Sequence, residues 1–132
     1  MQPADAIKDT RAERIEFLRS ALQDAADGIE PGTEIMAKPM FGGAGYYAGG
    51  LLFAMWYGEG LSLKLAEPDR DILLEIPGAA HSQFGTNVEV PETFLTQIEL
   101  LLPWVEKCLA YARTNKRSGR PGTPGGRKSK PR

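Results

Sequence analysis

The run Lys38-Pro39-Met40-Phe41-Gly42-Gly43-Ala44-Gly45-Tyr46-Tyr47 marks where the chain leaves a helical opening and enters glycine-punctuated strands. Large apolar and aromatic residues crowd here against Gly42, Gly43, Gly45 and, just beyond, Gly49. Such crowding predicts a backbone approached closely by something packed across it. A helix is the expected neighbour, with the glycines making room for it. As a string, Gly43 to Ala48 also matches the dinucleotide-binding fingerprint. That fingerprint must open a helix whose amides face a pyrophosphate, yet Gly49 and Gly50 arrive within its first turn and a strand-like run follows. A cofactor loop is therefore rejected, and no cofactor is expected.

Upstream, Thr10-Arg11-Ala12-Glu13 has capping-box spacing, which predicts a helix start near Thr10. Ile15, Leu18, Leu22 and Ala25 recur at helical intervals, with Arg14, Glu16, Arg19, Gln23 and Asp24 on the other side. Gly28 and Pro31-Gly32 end the pattern, and a strand is expected over Glu34 to Phe41.

Downstream, Ala48-Gly49-Gly50 and Gly58-Glu59-Gly60 separate Tyr46-Tyr47, Leu51 to Tyr57 and Leu61 to Leu65. Connections this short join antiparallel neighbours, because a parallel return needs about a dozen residues. Leu61, Leu63 and Leu65 alternate with Ser62 and Lys64, giving one buried and one polar face. Leu51 to Tyr57 is apolar throughout, which makes it central in the sheet or the lining of a partner surface. Pro68-Asp69 opens a short helix through Ile76, with Ile72, Leu73 and Ile76 as its apolar contacts. Ala79 to Gly85 reads as irregular, Thr86 to Val90 as a last strand, and Phe94 to Arg113 as a helical region broken or kinked at Pro103. The fold class is α+β: an antiparallel meander of about five strands flanked by N-terminal and C-terminal helices.

The composition, 42 % hydrophobic and 25 % charged in 132 residues, fits one domain over 1–113. The net charge of -1 hides a division. Eight of the sixteen basic residues lie between Arg113 and Arg132 with no acid among them; the preceding residues set eight cations against seventeen acids, about -9 against +8. Residues 114–132, rich in glycine, proline and cations, are expected to form a disordered tail. Lys116, Arg117, Arg120, Arg127, Lys128 and Lys130 make it an electrostatic footprint for nucleic acid, although the run also reads as a solubilising tail or one resting on the acidic body. A lone cysteine, Cys108, excludes an internal disulfide and a four-cysteine zinc site, and argues for a reducing, cytoplasmic setting. No apolar run is long enough to span a membrane, and no secretory signal opens the chain.

Catalytic constellations are not expected. His81 is the only histidine and reads as a loop side chain; Cys108 falls in the apolar pattern of the last helix; the carboxylates are scattered, with Glu67, Asp69 and Asp71 near a helix start where the macrodipole favours them. No metal site follows from them. Tyr46, Tyr47, Trp56 and Tyr57 could stack on bases, but with little basic charge beyond Lys38 and Lys64 they read better as core or protein interface. A small-molecule or enzymatic site between sheet and helices near Met40, Lys64 and His81, where a basic residue on an apolar sheet can hold an anion, is a further alternative.

The opening Lys38-Pro39-Met40-Phe41-Gly42-Gly43-Ala44-Gly45-Tyr46, followed by Leu52-Phe53-Ala54, Leu61-Ser62-Leu63-Lys64 and Val90-Pro91-Glu92, resembles the TfoX N-terminal domain family over roughly residues 12–113. Lys38, Met40, Phe41, Gly42, Gly43 and Lys64 carry the motif, as structural or interaction residues. The resemblance implies a bacterial, cytoplasmic regulatory domain related to regulators of competence for DNA uptake, without enzymatic activity. The full-length competence regulators carry a second, helical domain where this chain has only its basic tail. A non-enzymatic adaptor that binds a protein partner, with homodimerisation through Leu51 to Tyr57 and weak nucleic-acid affinity in the tail, is the resulting expectation. Direct nucleic-acid binding led by the tail is the alternative.

Overall fold

The computed structural model describes residues 3–40, 42–58, 60–82 and 87–114, with side chains from Arg11 onward. Helix α1 spans Pro3–Asp27, followed by strands β1 (Ile35–Met40), β2 (Gly43–Ala48), β3 (Leu51–Trp56) and β4 (Ser62–Leu63). Helix α2 (Glu67–Leu74), strands β5 (Ala80–His81) and β6 (Val88–Glu89), one 3-10 turn (Glu92–Leu95) and helix α3 (Ile98–Thr114) complete the order. The six strands form one sheet in the order β1-β2-β3-β4-β6-β5, with every pairing antiparallel. The fold is thus α+β, an antiparallel sheet with an N-terminal and a C-terminal helix.

The first four strands are the expected meander. Ala48 pairs with Leu51 across a two-residue turn whose Gly49 and Gly50 both have positive φ, the conformation that matches strand twist in a tight hairpin. Pro39 lies inside β1, where its missing N–H is tolerated because β1 is an edge strand. The sheet then departs from a simple meander: β6 pairs with β4, and β5 adds outside it. The segment read as irregular therefore contains a sixth strand, Ala80–His81, too short and too exposed to leave an alternating pattern.

Helices α1 and α3 pack against each other, α1 reaching β1 and β2 and α3 reaching β3 and β4. Leu73 anchors α2 in the core, and Lys107 on α3 pairs with Asp69 on α2 at 3.7 Å. Leu18, Leu22 and Ala25 of α1 meet Tyr46, Phe53 and Leu63 of the sheet and Leu101, Val105 and Cys108 of α3 in one buried core. Burial of a large apolar side chain contributes about 1.5–3 kcal/mol, so this layer dominates the stability.

Four local expectations are corrected. α1 begins at Pro3 rather than near Thr10, because nothing between them breaks a helix and proline suits a first turn. α3 runs unbroken through Pro103, which is exposed like Glu99, so water can replace the N–H that the Glu99 carbonyl loses; the interruption falls instead at Thr96-Gln97, between the 3-10 turn and α3. Ile72 is 54 % exposed, leaving Leu73 as the buried contact of α2. Finally, the glycines of the opening stretch do not make room for a helix. A Cβ on Gly43 would collide with the Trp56 carbonyl of β3, and one on Gly45 would press on side chains of the opposite sheet face. The glycine at the helix contact is Gly28, where a Cβ would come within 2.7 Å of Leu102 Cδ1 on α3.

Candidate protein interface on the open sheet face

Strand alternation sends Ile35, Ala37, Ala44, Tyr46, Ala54, Trp56 and the buried leucines toward the helices. The other face then carries Met36, Met40, Tyr47, Leu52, Met55 and Tyr57, with Lys38 on β1 and Lys64 just after β4. None of these six side chains is buried, and Met36 is 49 % exposed. Three of the chain's four methionines stand here. Methionine is flexible and polarisable and recurs on surfaces that adapt to a partner.

A bulge makes this face continuous. Tyr46 pairs with Ala54 and Tyr47 with Leu52, so Phe53 is the extra residue on β3. Phe53 and Ala54 consequently both enter the core, while Leu52 and Met55, three positions apart, both stand on the open face. Without the bulge one of them would point into the core. At the centre lies Gly45, buried beneath its neighbours: a Cβ there would lie 2.9 Å from Met40 Cε, 3.0 Å from Leu52 Cδ1 and 3.3 Å from Tyr47 Cε1. These three side chains close over a glycine floor.

Polar groups hold the face in place. The Lys38 ammonium stands 4.7 Å from the Tyr47 ring centroid, a cation-π contact that lays the charge along the sheet. Tyr57 Oη donates to Met55 Sδ at 3.7 Å. Ser62 Oγ donates to the Met55 carbonyl at 3.2 Å and accepts from Asn87 Nδ2 at 3.4 Å, which joins these two buried polar side chains. The Lys64 amide donates to the Phe53 carbonyl at 3.0 Å, extending the β3–β4 pairing past Leu63.

The structure brings Lys38, Met40 and Lys64 onto this one face. Gly43 starts β2, and Gly42 occupies the preceding turn at a φ of 83°. Phe41 and the tail cations Lys116, Arg117, Arg120, Arg127, Lys128 and Lys130 lie outside the described residues. At the β1–β2 turn a hollow of about 370 Å³ is lined by Arg11, Ile15, Pro39, Met40, Gly42 and Gly43. The grouping of Met40, Lys64 and His81 between sheet and helices does not form. Met40 and His81 sit on opposite edge strands, and Lys64 alternates away from the helices. Met36 is the face residue that the sequence reading passed over; alternation through Met36, Lys38 and Met40 was the available signal.

Elsewhere the reactive side chains are confined or solvated. Burial pushes the Cys108 thiol up, and its Sγ donates to the Val105 carbonyl at 3.3 Å, which leaves it a core residue rather than a nucleophile. Burial likewise raises the Tyr46 phenol, whose Oη donates to the Ile15 carbonyl at 3.0 Å. His81 is exposed. Among the described residues no helix is long and apolar enough to cross a membrane, and no cluster of three metal-ligating side chains occurs.

In comparisons with known proteins, the family described as TfoX N-terminal domain matches residues 27–112. No curated protein and no solved structure matches the chain.

Proposed function

Because the chain belongs to the TfoX N-terminal domain family, we propose that it is a regulatory or adaptor domain, related to regulators of competence for DNA uptake, that acts on transcription by binding protein rather than by catalysis. The observation that carries this reading is the open sheet face. One side of the sheet is covered by α1 and α3, whereas the other presents methionines, a leucine and tyrosines across β1–β3. Apolar surface concentrated on one rigid face marks an interaction site. The reading includes a reducing, cytoplasmic setting, supported by the single, buried thiol.

The test is genetic and biochemical together. Removal of the gene from its source organism is expected to change a defined set of transcripts, which the wild-type chain restores. Met36→Glu, placed at a half-exposed site, should fold with an unchanged helical circular-dichroism spectrum and fail to restore them. Full restoration by the folded variant would overturn the reading.

The tail adds a second, nonspecific contact to nucleic acid in this reading, supported by the division of charge between body and tail. If about five phosphates are neutralised, log affinity for duplex DNA falls against log salt with a slope near -4.5. A chain ending at Thr114, where α3 ends, should lose that binding. Equal affinity and slope in the shortened chain would remove the tail from the account.

A further inference from the structure

The register across the sheet aligns five residues in one row. Lys38 on β1 pairs with Gly45 on β2, Gly45 with Met55 on β3, Met55 with Ser62 on β4, and Ser62 with Glu89 on β6. Residues opposite each other in neighbouring strands share a face, so the whole row stands on the open side. It reads cation, glycine, methionine, serine, carboxylate, with Met55 at its middle.

A row of that form complements itself. Rotation of a second copy by a half turn about an axis along β3, midway between two stacked sheets, brings β1 over β6, β2 over β4 and β3 over β3. We infer that the open face is the interface of a homodimer, in which Lys38 of each copy pairs with Glu89 of the partner subunit and the two Met55 side chains meet on the axis. This rests on the reading of the face as a protein-binding surface and names its occupant. A two-fold interface uses the same patch on both copies, which a row with opposite charges at equal distances from its centre provides.

The adjoining row agrees. Met36 pairs with Tyr47 and Tyr47 with Leu52, and Lys64, whose amide donates to the carbonyl of Phe53 next to Leu52, follows at the extended end of β4. The same rotation carries Lys64 over Tyr47 of the partner subunit, a second cation-on-ring contact. Face-packed sheets stand ~10 Å apart and cross at about 30°. The resulting offset at the row ends is a few ångströms, which lysine and glutamate side chains span. β1, β2 and β3, six residues each, with the two-residue β4 and β6 beside them, outline a flat patch of roughly 350 Å² per copy, below the standard size and in the range of weak, reversible association.

Charge favours a second copy over nucleic acid on this face. Glu89 is the one acid within the described strands, and it lies at the end of the row opposite Lys38. A polyanion laid along the row would meet that carboxylate, whereas a second copy presents a lysine to it.

The full-length chain is tested by sedimentation equilibrium over a wide concentration range. A mass approaching twice the 14.4 kDa of one chain is expected. Lys38→Glu and Glu89→Lys should each weaken dimerisation about tenfold or more, and the double exchange should return it to within about threefold of the original. Met55→Cys should cross-link through a bifunctional maleimide with a spacer of about 10 Å, while the parent, whose only thiol is the buried Cys108, should not.

A monomer at every concentration, a dimer indifferent to the charge exchange, or a monomer whose open-face amide signals shift only with a single-stranded oligonucleotide would each overturn the inference. A monomer for which Met36→Glu still fails to restore transcripts would sink the homodimer alone and leave a different protein as occupant. Full restoration by Met36→Glu would sink both.

Discussion

On the helical side of the sheet Phe53 and Tyr46 are fully enclosed, while on the other side their chain neighbours Leu52 and Tyr47 are left partly exposed. The two faces share a backbone and differ in what covers them. One face has α1 and α3 and spends its apolar surface on folding. The other gathers methionine, leucine and tyrosine around Gly45 and contributes far less to stability. Adjacent residues of one strand can therefore serve different ends.

The strongest attempt to break this comparison replaces neighbours one at a time. Phe53→Ala empties a fully buried site and should cost about 3–5 kcal/mol, read as a lower urea midpoint at unchanged slope. Leu52→Ala, one residue away, should cost under about 1 kcal/mol, since its side chain is already partly in water. Similar losses at both positions would mean that the open face is structural.

Next in size is a pair of glycines two residues apart. Gly43→Ala sets a methyl against the backbone of β3, which has no freedom to retreat, and should cost about 1–3 kcal/mol or more. Gly45→Ala meets only the ends of Met40, Leu52 and Tyr47, which can turn aside. Its effect on thermal unfolding should be small, whereas its effect on anything bound to the face should be larger. A destabilisation equal to that of Gly43→Ala would show the three side chains to be locked.

Much of the covered face was legible in the sequence, because period and composition act locally. The helical spacing of Ile15, Leu18, Leu22 and Ala25 and the alternation of Leu61, Leu63 and Leu65 both reflect burial against one neighbour. The apolar run Leu51 to Tyr57 marked β3 as a strand apolar on both faces, which its place inside the sheet satisfies. Which residues point which way was hidden, since the bulge at Phe53 shifts the alternation by one and leaves no mark in residue type. β5 escaped notice because two residues pair only through their backbone. The row from Lys38 to Glu89 draws on five strands and more than fifty residues of chain. Only the register assembles it.

A smaller effect tests the polar ties within the covered layer. Tyr46→Phe removes the hydroxyl that reaches the Ile15 carbonyl, and should cost about 0.5–1.5 kcal/mol. That carbonyl lies in the middle of α1 and keeps its helical donor, so no orphaned acceptor enlarges the loss.

The smallest effect lies where the ends of α1 and α3 are clasped. Arg113 pairs with Glu30 through both guanidinium nitrogens, the second at 2.7 Å, and Thr33 Oγ1 donates to the same carboxylate at 3.0 Å. The Arg113 hydrogen bond, and after it Thr33, hold the Glu30 carboxyl below its ordinary 4.5. A carboxylate whose pKa is lowered by folding stabilises the native state above the unfolded value, and that contribution is lost as pH falls through the folded value. Glu30→Gln should therefore melt slightly below the parent at pH 7, and the gap should close as the pH drops below 4.5. The pair is exposed and screened by solvent, so the difference should also shrink with added salt. A gap that persists in acid would assign the clasp to packing of the Glu30 and Arg113 stems instead of charge. A large gap at neutral pH would mean that the covered face owes more to its rim, and less to Phe53 and Leu63, than their burial implies.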